Sequence, residues 1–193
     1  MFDAAHSHET IPASEAAWHA TGQPHRQQGD VHERLEMLDA LLRFAVGQDL
    51  KDERLFASAF AEDCELDFTQ PAARLGVTLP VFSGRTRIVE TIMATVRGLD
   101  TTHTVSNPRA WVDGDAASLF ALVEAQHLPH GDPSRHLLLK NFYRVRLARS
   151  SAGWAMTRVR IDNVWMSGDG RVLFPQQLPH GTRASASSAR TDP

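Results

Sequence analysis

Apolar positions recur first at helical spacing and later at alternating spacing, and the change falls near Asp100. In residues 31–47, Leu35, Leu38, Leu41, Leu42, Ala45 and Val46 follow the period of an amphipathic helix, with Gly47 as its stop. A short second helix is expected over residues 52–60, where Leu55, Phe56, Ala59 and Phe60 are apolar. Residues 64–68 (CELDF) read as a strand, and residues 69–81 as a loop marked by proline and glycine. Ser83 is placed to cap a third helix, in which Ile88, Ile92, Val96 and Leu99 share a face. Beyond residue 100 the pattern predicts four long strands, at 102–112, 117–128, 136–149 and 154–166. Asp113-Gly114 marks a hairpin turn between the first two. Helices followed by strands define an α+β fold. The expected architecture is a cone-shaped, curved antiparallel sheet wrapped around three N-terminal helices and enclosing a pocket, a natural place for a ligand.

The flanks differ from this patterned centre. Residues 1–30 are poor in large aliphatics and rich in His, Gln, Gly and Ala, so they read as a weakly ordered arm. Residues 175–193 read as a flexible polar tail, which leaves 31–174 as the one domain. The chain of 193 residues is long enough to bury a sizeable core. Its single cysteine excludes a disulfide framework and a multi-cysteine zinc site. A net charge of -3 argues against nucleic acid as a partner. No apolar run approaches the roughly 20 residues that span a bilayer. The N-terminus lacks the basic start and apolar stretch of a secretory signal, so a cytoplasmic protein is expected.

The sequence carries no glycine-rich phosphate loop, no Gly-x-Ser-x-Gly elbow and no His-Glu-x-x-His. Its ten histidines are scattered, and His6, His8, His19, His25 and His32 lie in or beside the N-terminal arm. No His pair sits at metal-ligand spacing in a well-defined element, and neither a metal nor a cofactor is expected. The informative pair is Asp49, at the junction of the first two helices, with His103, at the head of the first long strand. A carboxylate beside an imidazole fixes its tautomer and balances the imidazolium formed when the ring takes a proton. The plainer alternatives are that Asp49 caps the second helix and that His103 is a hydrogen-bonded strand-end residue.

Arg158 shares strand parity with Trp154 and Met156, which would turn it towards a buried face to bind substrate charge. A bulge would instead leave it on the surface. On strand 117–128, Leu119, Ala121, Val123, Ala125 and His127 form one face and Phe120, Leu122 and Glu124 the other. Both are apolar, so the strand is expected to be covered on both sides, and either His127 or Glu124 looks into the pocket. Asn141 and Tyr143 share a face with Leu139, Val145 and Leu147, while Cys64 reads as an inert strand residue.

Taken together, these elements resemble the SnoaL-like branch of the nuclear-transport-factor-2-like superfamily over residues 31–174. Residues 47–66 (GQDLKDERLFASAFAEDCEL) resemble the first-helix junction of hexachlorocyclohexane dehydrochlorinase, and residues 101–107 (TTHTVSN) resemble its histidine-bearing segment. The resemblance implies that Asp49 and His103 are a catalytic dyad, as also in bile-acid dehydratase. It places Arg158 near an arginine that helps the leaving group depart. It further implies a metal-free barrel and a homo-oligomer, dimer or trimer, joined through the sheet. The sequence departs from these relatives at Phe44, where the bile-acid enzyme has tyrosine, and at Leu66, where the dehydrochlorinase has a pocket tryptophan. The loop of residues 69–82 is also longer.

The expected pocket residues are Phe44, Leu66, Val123, His127, Asn141 and Tyr143. The expected function is that of a cofactor-independent lyase, isomerase or cyclase acting on a hydrophobic small molecule. His103 would remove a carbon-bound proton and Asp49 would hold His103. Arg158, with His127 or Asn141, would stabilise the developing anion. The alternative is a non-catalytic module that binds a small molecule or assembles through its outer sheet face, with Arg144 and Arg146 on that surface.

Overall fold

The computed structural model describes residues 30–176. The N-terminal arm with His6, His8, His19 and His25, and the tail beyond Gln176, lie outside the described residues. The described residues open on helix α1 (Val31–Leu50) and α2 (Glu53–Ala57), followed by strand β1 (Phe60–Asp67), α3 (Thr69–Arg74), β2 (Phe82–Ser83) and α4 (Arg85–Val96). Four long strands follow: β3 (Leu99–Asp113), β4 (Ala116–Pro129), β5 (Leu137–Ser150) and β6 (Gly153–Gly168). A single 3-10 turn, Gly170–Val172, comes next.

Local chemistry sets the helix ends. A capping box opens α1: Asp30 Oδ1 accepts the Glu33 amide at 2.8 Å while the Glu33 carboxylate accepts the Asp30 amide. Gly47 does not stop this helix, contrary to expectation. It is buried inside α1 where α2 crosses, and a Cβ there would lie 2.5 Å from the Phe56 amide nitrogen. Glycine is required at this point for close approach, and the helix ends later, at Lys51 with φ +59°. Asp52, not Asp49, caps α2, accepting the Leu55 amide at 2.9 Å. Helix α2 is shorter than the expected 52–60, because Phe60 already belongs to β1. Ser83 lies in β2, and Gly84 is the residue that precedes α4. The expected loop of residues 69–81 contains α3, so the structure has four α-helices among the described residues where three were expected.

The fold is α+β, as the sequence implies: six strands in the order β2-β1-β6-β5-β4-β3 form a curved, unclosed sheet. One expectation is corrected. The sheet is mixed, because β1 pairs with β6 in parallel, while the other neighbours are antiparallel. The whole β2–β5 excursion separates these two strands in sequence, and parallel neighbours require such a crossover.

The core lies between the helices and one face of the sheet. Met37, Leu41 and Phe44 of α1 and Ile88 and Val96 of α4 meet Leu119, Ala121, Val123, Val145, Met156 and Val159. Phe44, Phe56, Phe60 and Tyr143 interlock with ring centroids 5.1–5.9 Å apart, tilted or edge-on. Along β4 only the Leu119–His127 parity is buried; Phe120, Leu122 and Glu124 are half-buried on the other face, so the strand is covered on one side rather than two. In β6 the pairing shifts between Leu147↔Met156 and Arg146↔Arg158, so Thr157 is an extra residue. Burial passes from Trp154 and Met156 to Val159 and Ile161, and Arg158 is left on the outer side. Among the described residues, no helix is long and apolar enough to cross a membrane.

Candidate active site

A cavity of about 380 Å³ opens between α1, α4 and the inner sheet face. A cavity of about 150 Å³ holds a benzene ring, so this one has room for a larger molecule. Its walls are mainly apolar: Phe44 from α1, Leu66 and Phe68 near the end of β1, Ile92 and Val96 from α4, Leu139 and Ile161 from the sheet. Leu173, Phe174, Pro175 and Gln176 border it from the C-terminal side. No lysine, arginine or carboxylate lines it among the described residues.

At one side of this cavity the last turn of α1 meets the head of β3. Asp49 Oδ1 lies 2.6 Å from His103 Nδ1, and Asp49 Oδ2 accepts the His103 backbone amide at 2.8 Å. One carboxylate thus holds both the ring and the backbone of the same residue. The Thr101 hydroxyl lies 3.0 Å from Asp49 Oδ1. The Lys51 ammonium reaches the Thr101 hydroxyl and the Gln48 carbonyl, each at 2.9 Å. Burial alone would raise the Asp49 carboxyl, but the His103 ring, its charge and its amide, with the Thr101 hydroxyl, hold the group below the ordinary carboxylate value. The His103 side chain is only 3% exposed and lines the cavity. With Nδ1 bound to Asp49, Nε2 is the ring atom without a hydrogen-bond partner among the described residues.

Next to it stands His127, and the two rings meet edge-on at 5.7 Å. His127 Nδ1 lies 3.3 Å from the Leu137 carbonyl, which can only accept, so this nitrogen carries the proton. Burial, reinforced by the charge of His103, pushes His127 down to about 3, and the ring is neutral at physiological pH. His127, not Glu124, therefore faces the cavity; Glu124 pairs with Lys140 at 2.6 Å on the outer face.

Asn141 and Tyr143 line the cavity from β5. Asn163 Nδ2 donates to the Lys140 and Trp165 carbonyls at 3.2 and 2.9 Å and to Asn141 Oδ1 at 2.8 Å. Two carbonyl partners fix which end of the Asn163 amide is the donor, and this in turn fixes Asn141. Asn141 Nδ2 is then left buried without a hydrogen-bond partner. Burial and the Asp49 charge raise the Tyr143 phenol, so it stays protonated; the neighbouring Asn141 amide opposes this weakly.

The structure brings Asp49, His103, Phe44, Leu66, His127, Asn141 and Tyr143 together at one cavity. It does not bring two others there. Val123 has the expected parity but is sealed in the core beneath the cavity. Arg158 is turned outward by the Thr157 bulge and faces Glu65 at 3.6 Å. Cys64 is buried and its thiol is pushed up to about 11, which keeps it inert. His32 pairs with Glu36 at the solvent-exposed start of α1. No cluster of three or more metal-ligating side chains occurs among the described residues. Sequence reasoning missed Thr91 and Thr95, although their place beside Ile92 and Val96 on α4 puts them on the cavity wall. It also missed Lys51 and Thr101.

A curved sheet holding helices against a pocket, with His103 in the wall and Asp49 behind it, is an α+β fold of small-molecule-binding type. Residues 29–160 match the SnoaL-like domain, and the chain belongs to that family. Similar solved structures include a Novosphingobium aromaticivorans protein provisionally named an aromatic ring hydroxylase, 22% identical, covering 76% of this chain and 99% of that one with a TM-score of 0.67. The Kfla4162 protein of Kribbella flavida is 19% identical, covering 74% and 97% with a TM-score of 0.66. A hexachlorocyclohexane dehydrochlorinase, LinA-type3 of Novosphingobium barchaimii, is 17% identical, covering 72% and 90% with a TM-score of 0.59. At these identities the likeness is one of fold. None of the curated proteins compared with the chain matches it.

Proposed function

We propose that this chain is a cofactor-independent lyase, isomerase or cyclase, of dehydratase or dehydrohalogenase type, acting on a hydrophobic small molecule with His103 as general base. The observation that carries the reading is the 2.6 Å contact between Asp49 and His103 at the wall of an apolar cavity. Asp49 accepts from Nδ1–H, which leaves the Nε2 lone pair to take a proton. A carbon-bound proton moves to Nε2, the C–H electron pair forms the new double bond, and the leaving group departs with its own pair. A halide leaves as the anion. A hydroxyl takes the proton back from the imidazolium and leaves as water. Asp49 stays ionised and balances the imidazolium meanwhile. A base so held contributes about 10² to 10⁴ in rate.

Arg158 has no part in this scheme. The Tyr143 hydroxyl and the Asn141 amide line the cavity and can donate to developing negative charge. The uncharged wall favours a neutral substrate, because burying an unpaired ion is costly. The family and the dehydrochlorinase neighbour support elimination chemistry at the level of fold. Residues 31–174 form the working unit in this reading, and the protein acts in the cytoplasm. A homo-oligomer, dimer or trimer, is supported by Phe142, Val164 and Trp165, which are exposed by 36%, 42% and 46%.

The test is a panel of cyclic alcohols, halides and ketones offered to the wild type, D49N and H103A. Wild type should eliminate or isomerise at least one compound, and both variants should lose that activity while keeping their fold. Full activity in both variants would remove the proposal.

A further inference from the structure

The end of α1 carries more hydrogen-bond donors than a carboxylate–imidazole pair needs. Lys51 closes the helix in the left-handed region, at φ +59° and ψ 28°, where glycine is the favoured residue. That turn brings its ammonium back onto the Gln48 carbonyl and the Thr101 hydroxyl, 2.9 Å from each. An ammonium only donates, so the Thr101 oxygen accepts from it, and the single Thr101 proton must be directed elsewhere. Two acceptors are in reach: Asp49 Oδ1 at 3.0 Å and the Gln48 carbonyl at 3.4 Å. The carboxylate is both nearer and charged, and it makes the stronger bond.

We infer that Lys51 and Thr101 are positioning residues for the base: Lys51 fixes the Thr101 hydroxyl so that its proton is donated to Asp49 Oδ1, which holds the carboxylate against the His103 ring. The inference rests on the reading of His103 as the base, but its test requires no substrate. The last turn of a helix is a poor place for a carboxylate, because the free carbonyls there carry partial negative charge. Lys51 offsets that field from the same turn. Thr101 is buried, two residues before His103 on β3, so its hydroxyl has little water to fall back on.

The charged and titratable groups around the ring come from several elements. Asp49 and Lys51 stand at the end of α1, Asp100 on β3 acts on Lys51, His127 faces the ring from β4 and Tyr143 lies on β5. His127 is neutral and Tyr143 protonated at physiological pH, so the balance on the ring is set by Asp49 against Lys51. Removing the ammonium, or the hydroxyl it fixes, frees the Asp49 carboxylate to turn away from Nδ1.

The experiment follows the two ring nitrogens of neutral His103 by ¹⁵N NMR in the 193-residue chain, with H103A assigning the signals. Lys51→Gly removes the amine yet suits the left-handed turn, which separates helix capping from the relay. Thr101→Val removes only the hydroxyl, and Thr101→Ser restores it. The Nδ1-protonated form of the neutral ring should lose ground to the Nε2 form in K51G and T101V and be kept in T101S. A tautomer preference unchanged in T101V, or weakened equally in T101S, overturns the inference; should K51G fail to fold, the T101V and T101S pair decides alone. Failure of the base reading itself would appear separately, as turnover retained by H103A.

Discussion

On the outer face of β4, β5 and β6, Glu124 meets Lys140 at 2.6 Å, Arg144 meets Asp162 at 3.5 Å and Arg158 meets Glu65 of β1 at 3.6 Å. On the inner face of the same strands stand His127, Asn141, Tyr143 and Asn163, all buried. The outer groups are charged, paired and partly wet. Pairs of that kind contribute about 0–1 kcal/mol each. The inner groups are uncharged and cut off from water, where a polar atom without a partner costs about 1–3 kcal/mol. On the inner side the charged group is the Asp49 carboxylate, tied by three hydrogen bonds to the His103 ring, the His103 amide and the Thr101 hydroxyl. Polar residues are therefore informative about function here according to face, not according to charge.

The sharpest contrast should appear between the dyad and the outer pairs. H103A and D49N should each lower turnover by about 10² to 10⁴ with little change in melting temperature. Asn at position 49 can donate to Nδ1 and so presents the wrong tautomer. Equal losses from an outer-face variant would break the comparison.

Acid should act through the inner face next. His127 is held at about 3 against an unfolded value of 6.5, so the unfolded chain binds the extra proton between these limits. Stability should therefore fall as pH drops from 6.5 towards 3, by about 3 kcal/mol at pH 4. H127Q should flatten that slope in denaturant melts taken across the window; an unchanged slope would show that the ring is not held neutral. Asp49 works in the same direction at lower pH. Its depressed carboxyl contributes stability that is present above 3.8 and lost as pH falls through its folded value.

N163L removes the donor shared by the Lys140 and Trp165 carbonyls and Asn141. It should destabilise by about 2 kcal/mol in urea unfolding, and a neutral result would mean that these oxygens find other partners. The smallest effect belongs to R158A: under about 1 kcal/mol, with turnover unchanged. A large loss of activity there would return Arg158 to the chemistry.

Much of the fold could be read from the chain because the change from helical to alternating periodicity is strong on either side of Asp100. What escaped was local geometry that leaves no compositional mark. Gly47 looks like a stop in sequence, and only the crossing of Phe56 shows that it marks a close approach. Parity leaves two faces open to Arg158, buried if the strand runs regularly and outer if it bulges, and the extra residue at Thr157 selects the outer one. Val123 was assigned the right face but the wrong depth, since the cavity begins farther along β4, at Ala125. The parallel pairing of β1 depends on where a crossover lands, which periodicity does not record. Asp49 and His103 are 54 residues apart and no spacing rule joins them; their places at a helix junction and a strand head suggest the pair, and the resemblance to SnoaL-like proteins adds to that. Lys51 and Thr101 gave no signal, because a left-handed lysine and the direction of one hydroxyl are visible only in three dimensions.

In the proposed mechanism Asp49 orients His103 so that Nε2, not Nδ1, is free to take a proton in the cavity. The ¹⁵N chemical shifts of the two ring nitrogens in the neutral form of His103 test this directly. Nδ1 should be protonated and Nε2 bare in the wild type, with that preference lost in D49N. A wild-type ring protonated on Nε2 would contradict it.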